Sequence, residues 1–159
     1  METPRPERSP SLGREIDFLF LRLIETNASY EDYKREFLKL EKRWLQRAKT
    51  TAQRLAVRQI VAKTLLTQAF GFNMPWKEFG RWLRRLQQLG FRDLGMRVHV
   101  ACIYVQSLPL FPRQAREAWD MLEDAEKRAL RLRRAHPLRQ EHLESILHTK
   151  KVARVATPS

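Results

Sequence analysis

The chain has 159 residues, 43% of them hydrophobic, and carries 31 Lys and Arg against 18 Asp and Glu. That length suits a single domain with one core, and that hydrophobic share excludes wholesale disorder. The only cysteine, Cys102, excludes an internal disulfide, and no apolar run reaches the ~18 residues of a membrane span. The net charge of +13 points to a polyanionic partner in an intracellular setting, cytoplasmic, nuclear or nucleoid.

Five glycines occur, none between Gly13 and Gly71, and proline is absent between Pro10 and Pro75. So long a stretch without breakers predicts helix rather than β-structure, which needs frequent turns. The polar, proline-rich residues 1–10 lack an apolar signal core and are expected to be a disordered lead-in. A first helix is predicted from Leu12 to Glu25, where Ile16, Leu19, Phe20, Leu23 and Ile24 recur at helical spacing. Asn27-Ala28-Ser29 breaks it, and Ser29-Tyr30-Glu31-Asp32 has the form of a capping box. From there to Phe70 nothing stops a helix. One rod of about forty residues, ~60 Å long, and two helices bending near Lys49–Thr51 are both open; a compact domain favours the bend.

Pro75 opens the next helix, with Phe79, Trp82, Leu83, Leu86 and Leu89 on its apolar face and Gly90 as its terminator. The segment from Met96 to Val105 is apolar on nearly all sides and rich in β-branched residues. With no partner strand elsewhere, it is read as a central buried helix. Pro112 opens a helix to about Ala135, Pro137 another to about Val152, and 153–159 form a disordered tail. The chain is therefore expected to be an all-α, compact multi-helix bundle of about six helices over residues 11–152. Its second half, 75–152, has the form of two stacked helical hairpins. Their period of about 37 residues is near that of helical repeats, but the tetratricopeptide positions are not filled in register.

Charge is spread unevenly. Residues 1–41 hold seven basic and nine acidic side chains, whereas 42–77 hold Lys42, Arg43, Arg47, Lys49, Arg54, Arg58, Lys63 and Lys77 and no acid. On a continuous helix Arg43, Arg47, Arg54 and Arg58 fall within an arc of about 60° along ~22 Å. Such a row suits a phosphate backbone. The plainer alternative is a solvated face, or one packed beside Glu15, Asp17, Glu31 or Glu36. Arg outnumbers Lys 22 to 9, which fits phosphate contact and equally fits a GC-rich genome. In the helix from Pro112, Glu117, Asp120, Glu123 and Asp124 come early and Lys127, Arg128, Arg131, Arg133 and Arg134 late. The helix dipole explains much of that order.

No catalytic signature appears. His99-x-x-Cys102 lacks the second pair that zinc needs, no Glu-x-x-His occurs, and no cofactor or metal is expected. Trp82 and Trp119 lie on apolar faces; Trp44 and Trp76 are the better candidates for exposed use in stacking. These features predict a non-enzymatic protein that binds RNA or DNA backbone, as an accessory subunit of a nucleoprotein assembly. Arg43, Arg47, Arg54 and Arg58 would carry the contact, aided by Lys42, Lys49, Arg131, Arg134 and Trp44. One alternative is a helical adaptor that docks an acidic protein and exposes an apolar groove between the hairpins. Another is attachment to anionic lipids, which requires the helix after Ser29 to lie undocked.

Overall fold

The computed structural model describes residues 11–156; the lead-in expected over 1–10 and the end of the expected tail lie outside them. Among the described residues the chain is all-α, with seven helices and no strand. They are α1 (Leu12–Glu25), α2 (Tyr30–Arg47), α3 (Thr51–Gly71), α4 (Trp76–Leu89), α5 (Leu94–Gln106), α6 (Ala115–Leu130) and α7 (Arg139–Ala156), with a 3-10 turn at Pro112–Gln114 before α6. The chain divides into two compact units, Met1–Val57 and Arg58–Ser159, and α3 contributes to both.

In the first unit, α1 begins at Ser11, whose side chain accepts from the Arg14 amide. It ends at Glu25 with Thr26 as its C-cap, and the next residue, Asn27, takes a φ of 52°, a geometry that asparagine is one of the few residues to tolerate. The capping box at the start of α2 forms in full: the Ser29 amide donates to Asp32 at 3.1 Å and the Asp32 amide to Ser29 at 3.2 Å. Ile16, Leu19 and Leu23 of α1 are buried together with Tyr33, Phe37 and Leu40 of α2. The Phe20 ring lies 4.9 Å from that of Phe37.

A second capping box decides between the rod and the bend. The amides of Lys49 and Thr50 donate to the Gln53 side chain at 2.7 and 3.2 Å, and the Gln53 amide donates back to Thr50 Oγ1 at 3.1 Å. Satisfying these free N–H groups starts a new helix at Thr51. Ala48 turns out of α2 with an extended ψ of 130°, so the long breaker-free stretch is two helices.

The second unit is organised on α5. Val98, Val100, Ala101, Tyr104 and Val105 are at most 3% exposed, and the apolar segment read as a central helix is one. Asp93 caps it through the Met96 amide at 2.8 Å. Helices α6 and α7 pack on it, and Val61, Leu65 and Leu66 of α3 are fully buried. The α4 C-terminus turns at Gly90, whose φ of 83° requires glycine. Buried Gln59 satisfies the carbonyls left there, donating to Gly90 at 2.8 Å and Leu89 at 3.3 Å.

An aromatic cluster joins α4, α5 and the 3-10 turn. Trp76 lies 6.0 Å from Tyr104 and 5.3 Å from Phe111, and Phe79 lies 5.0 Å from Phe111. Beside it, Glu117 of α6 accepts from Arg84 Nη2 at 2.9 Å, Gln87 at 3.1 Å and Tyr104 Oη at 3.0 Å. The Arg84 guanidinium is the main reason its carboxyl falls from 4.5 to about 2. Burial, followed by the Glu117 contact, pushes the Tyr104 phenol well up.

Two boundaries differ from expectation. Helix α6 ends at Leu130 rather than near Ala135. Helix α7 begins at Arg139 and carries residues 153–156, which the expectation had placed in the tail.

Candidate nucleic-acid interface

The break at Ala48–Thr50 places the four stripe arginines on two helices, Arg43 and Arg47 on α2 and Arg54 and Arg58 on α3. The continuous row over one rod is therefore not the arrangement found. All four side chains are exposed, but their surroundings differ.

Arg47 is engaged. It lies 3.6 Å from Glu15 of α1, and its guanidinium sits 5.5 Å from the Trp44 ring centre. The Trp44 indole N–H donates to the same Glu15 carboxylate at 2.5 Å. Glu15 thus gathers both side chains against α1, as the plainer reading required, and Trp44 is a half-buried packing residue rather than a free stacking platform. Trp76 is likewise committed to the aromatic cluster.

Arg43 has no carboxylate partner among the described residues. It lines a surface groove of about 430 Å³ with Arg22, Lys39, Lys42, Gln46 and Glu36. Glu36 is the only acid among the described residues that line it, and it is already shared by Arg22 at 3.9 Å, Arg35 at 3.8 Å and Lys39 at 3.4 Å. Four cations around one carboxylate leave the groove strongly positive, and Coulomb attraction there is stronger than on a flat surface. Lys39 and Lys42 belong to the same wall of α2 and are legible from their spacing. Arg22 comes from α1, and only the pairing of the two helices brings it in.

Arg54 and Arg58 lie one turn apart on α3, and with Lys42 and Lys49 they have no ion-pair partner among the described residues. The third basic segment follows α6. Arg131, Arg133 and Arg134 are exposed and unpaired among the described residues, whereas Arg128 is held by Asp124 at 2.9 Å. Arg139 at the start of α7 is half-buried, its Nε lacking a hydrogen-bond partner there.

The remaining polar features point elsewhere. A cleft of about 670 Å³ between α3, α5 and α7 contains Lys63, Arg92, His99, Asp93 and Glu141. Its full charges balance, so it does not extend the basic surface. Thr67 Oγ1 donates to the Lys63 carbonyl at 2.9 Å and so must accept from His99 Nε2 at 2.8 Å. Burial, with Lys63 nearby, holds the His99 pKa below 6.5. Cys102 is buried and its thiol pKa is raised by desolvation. Among the described residues no three His, Cys, Asp or Glu side chains converge to hold a metal, and no helix is long and apolar enough to cross a membrane. No family model, curated protein or solved structure matches the chain.

Proposed function

We propose that the protein binds the phosphate backbone of RNA or DNA as a non-enzymatic subunit of a nucleoprotein assembly, in the cytoplasm, nucleus or nucleoid. One observation carries the reading: among the described residues, acids draw the charge of Arg22, Arg35, Arg47, Arg84 and Arg128, but not of Arg43, Arg54, Arg58, Arg131 or Arg134. These five arginines, with Lys42 and Lys49 beside them in the unpaired set, can bind phosphate through paired N–H donors. Their contact releases counterions, so binding is expected to weaken steeply with salt and to tolerate changes of sequence.

The test is fluorescence anisotropy with a labelled single-stranded RNA and a labelled DNA duplex, from 50 to 300 mM salt. Replacing Arg54 and Arg58 by Gln should lower the slope of log K against log salt by about two on duplex. Affinity indifferent to salt, or a slope unchanged by the double substitution, overturns the proposal.

A second reading is favoured by a separate feature. Val105, Leu108, Pro109, Pro112, Trp119 and Val152 line an apolar groove of about 190 Å³ in the second unit, the kind of surface that a helical adaptor offers a partner. It predicts a protein complex that survives nuclease and loses its partner on Trp119→Ala.

A further inference from the structure

The first helix is apolar on two opposite sides. Ile16, Leu19 and Leu23 are buried, while Phe18, Leu21 and Ile24 remain 71%, 58% and 64% exposed. At 100° per residue the second set lies on a face centred about 180° from the first. The same outer face carries Arg14 near its start, Asp17 among its apolar residues and Glu25 at its end, all exposed and without an ion-pair partner among the described residues. The order of Arg14 and Glu25 opposes the helix dipole, which favours acid at the N-terminus and base at the C-terminus. Nothing within α1 accounts for it.

We propose that this face pairs with the same face of a second copy, the two α1 helices running antiparallel about a two-fold axis. In that arrangement the stripe is self-complementary. Placing Arg14 opposite the partner's Glu25 sets Phe18 opposite the partner's Leu21, and the symmetry repeats both contacts. A parallel pair would set Arg14 against Arg14 and Glu25 against Glu25, so the charges select the antiparallel form. The three exposed side chains offer about 350 Å² of apolar surface per copy, ~700 Å² in the pair. That is below the ~1,200 Å² of standard stable interfaces. The pair therefore falls in the weak, transient class of interfaces.

Sedimentation velocity of the full chain from 10 µM to 1 mM tests this. The wild type should shift from monomer towards dimer across that range. Leu21→Glu should stay monomeric, with helicity and melting temperature near wild type because Leu21 is outside the core. Arg14→Glu and Glu25→Arg should each weaken self-association at least about tenfold. Mixing those two variants should restore it as a heterodimer, since one copy then presents two acids to the other's two arginines. A wild type monomeric at 1 mM, or a mixture that fails to associate, overturns the proposal. So does a dimer indifferent to Arg14→Glu, which would put the contact elsewhere.

Discussion

Glu117→Gln tests the account of the second unit's polar tie. The substitution keeps the side chain's size but leaves the Arg84 guanidinium without its carboxylate and weakens the acceptor for Tyr104 and Gln87. A carboxyl held at about 2 rather than 4.5 represents about 3 kcal/mol of preference for the charged form. The Glu117 side chain is 32% exposed, and screening by solvent reduces that to about 1–2 kcal/mol. The folded value lies below the unfolded one, so this stability is present above about pH 4.5 and is lost as pH falls towards 2. Urea unfolding should show the variant less stable by that amount at pH 7, with its melting temperature lower by ~3–6 °C. The gap should narrow between pH 4.5 and pH 2.5. A gap that stays constant with pH, or no gap at pH 7, would show that the loss comes from packing or that the tie contributes nothing.

Three further substitutions probe the elements that shape the molecule. Thr50→Ala removes the cap of α3 and should cost about 1 kcal/mol, with faster hydrogen exchange at Gln53 and no change in α1 or α2. At Gly80 an added Cβ would lie 2.8 Å from Trp76 Cε2. The rigid indole cannot yield locally, so Gly80→Ala should destabilise by about 1–2 kcal/mol despite alanine's helix propensity; a more stable variant in urea unfolding counts against this packing. Because His99 is held below its usual pKa of 6.5, the unfolded chain takes the proton first as pH falls, and stability declines below about pH 6.5. His99→Gln should flatten that decline between pH 7.5 and 5, and equal slopes in the two proteins would exclude His99 as its source.

Local chemistry made the helices legible. Ser29-Tyr30-Glu31-Asp32 closes a capping box within four residues, and the structure contains it. Thr50-Thr51-Ala52-Gln53 carries the same kind of signature, so the break that divides the arginine stripe is readable by the same rule. The α5 helix was legible because an apolar segment without partner strands has one way to satisfy its backbone. What sequence could not supply depends on register between helices. Glu15 meets Trp44 and Arg47 only because a particular face of α1 packs on α2. Arg22 enters the basic groove for the same reason. Periodicity also favours one stripe per helix, which leaves the second apolar face of α1 unremarked although Phe18 and Leu21 stand in plain view.

The pairing of Arg47 alters its part in the proposed interface without removing it. Its contact with Glu15 spans 3.6 Å on a side chain that is 60% exposed, and ion pairs of that kind contribute at most about 1 kcal/mol. Phosphate can replace Glu15 as its partner at that cost, whereas Arg54 has no internal partner to give up. Single substitutions should therefore rank in a definite order. Arg54→Gln should weaken binding to a DNA duplex by the full effect of one phosphate contact, and Arg47→Gln by up to about fivefold less. Glu15→Gln supplies the converse: releasing Arg47 should tighten binding by a similar factor and steepen the salt dependence. Anisotropy titrations at one low and one physiological salt concentration separate these cases. Equal losses for Arg47→Gln and Arg54→Gln, with Glu15→Gln neutral, would show that internal ion pairs do not decide which arginines are available to the backbone.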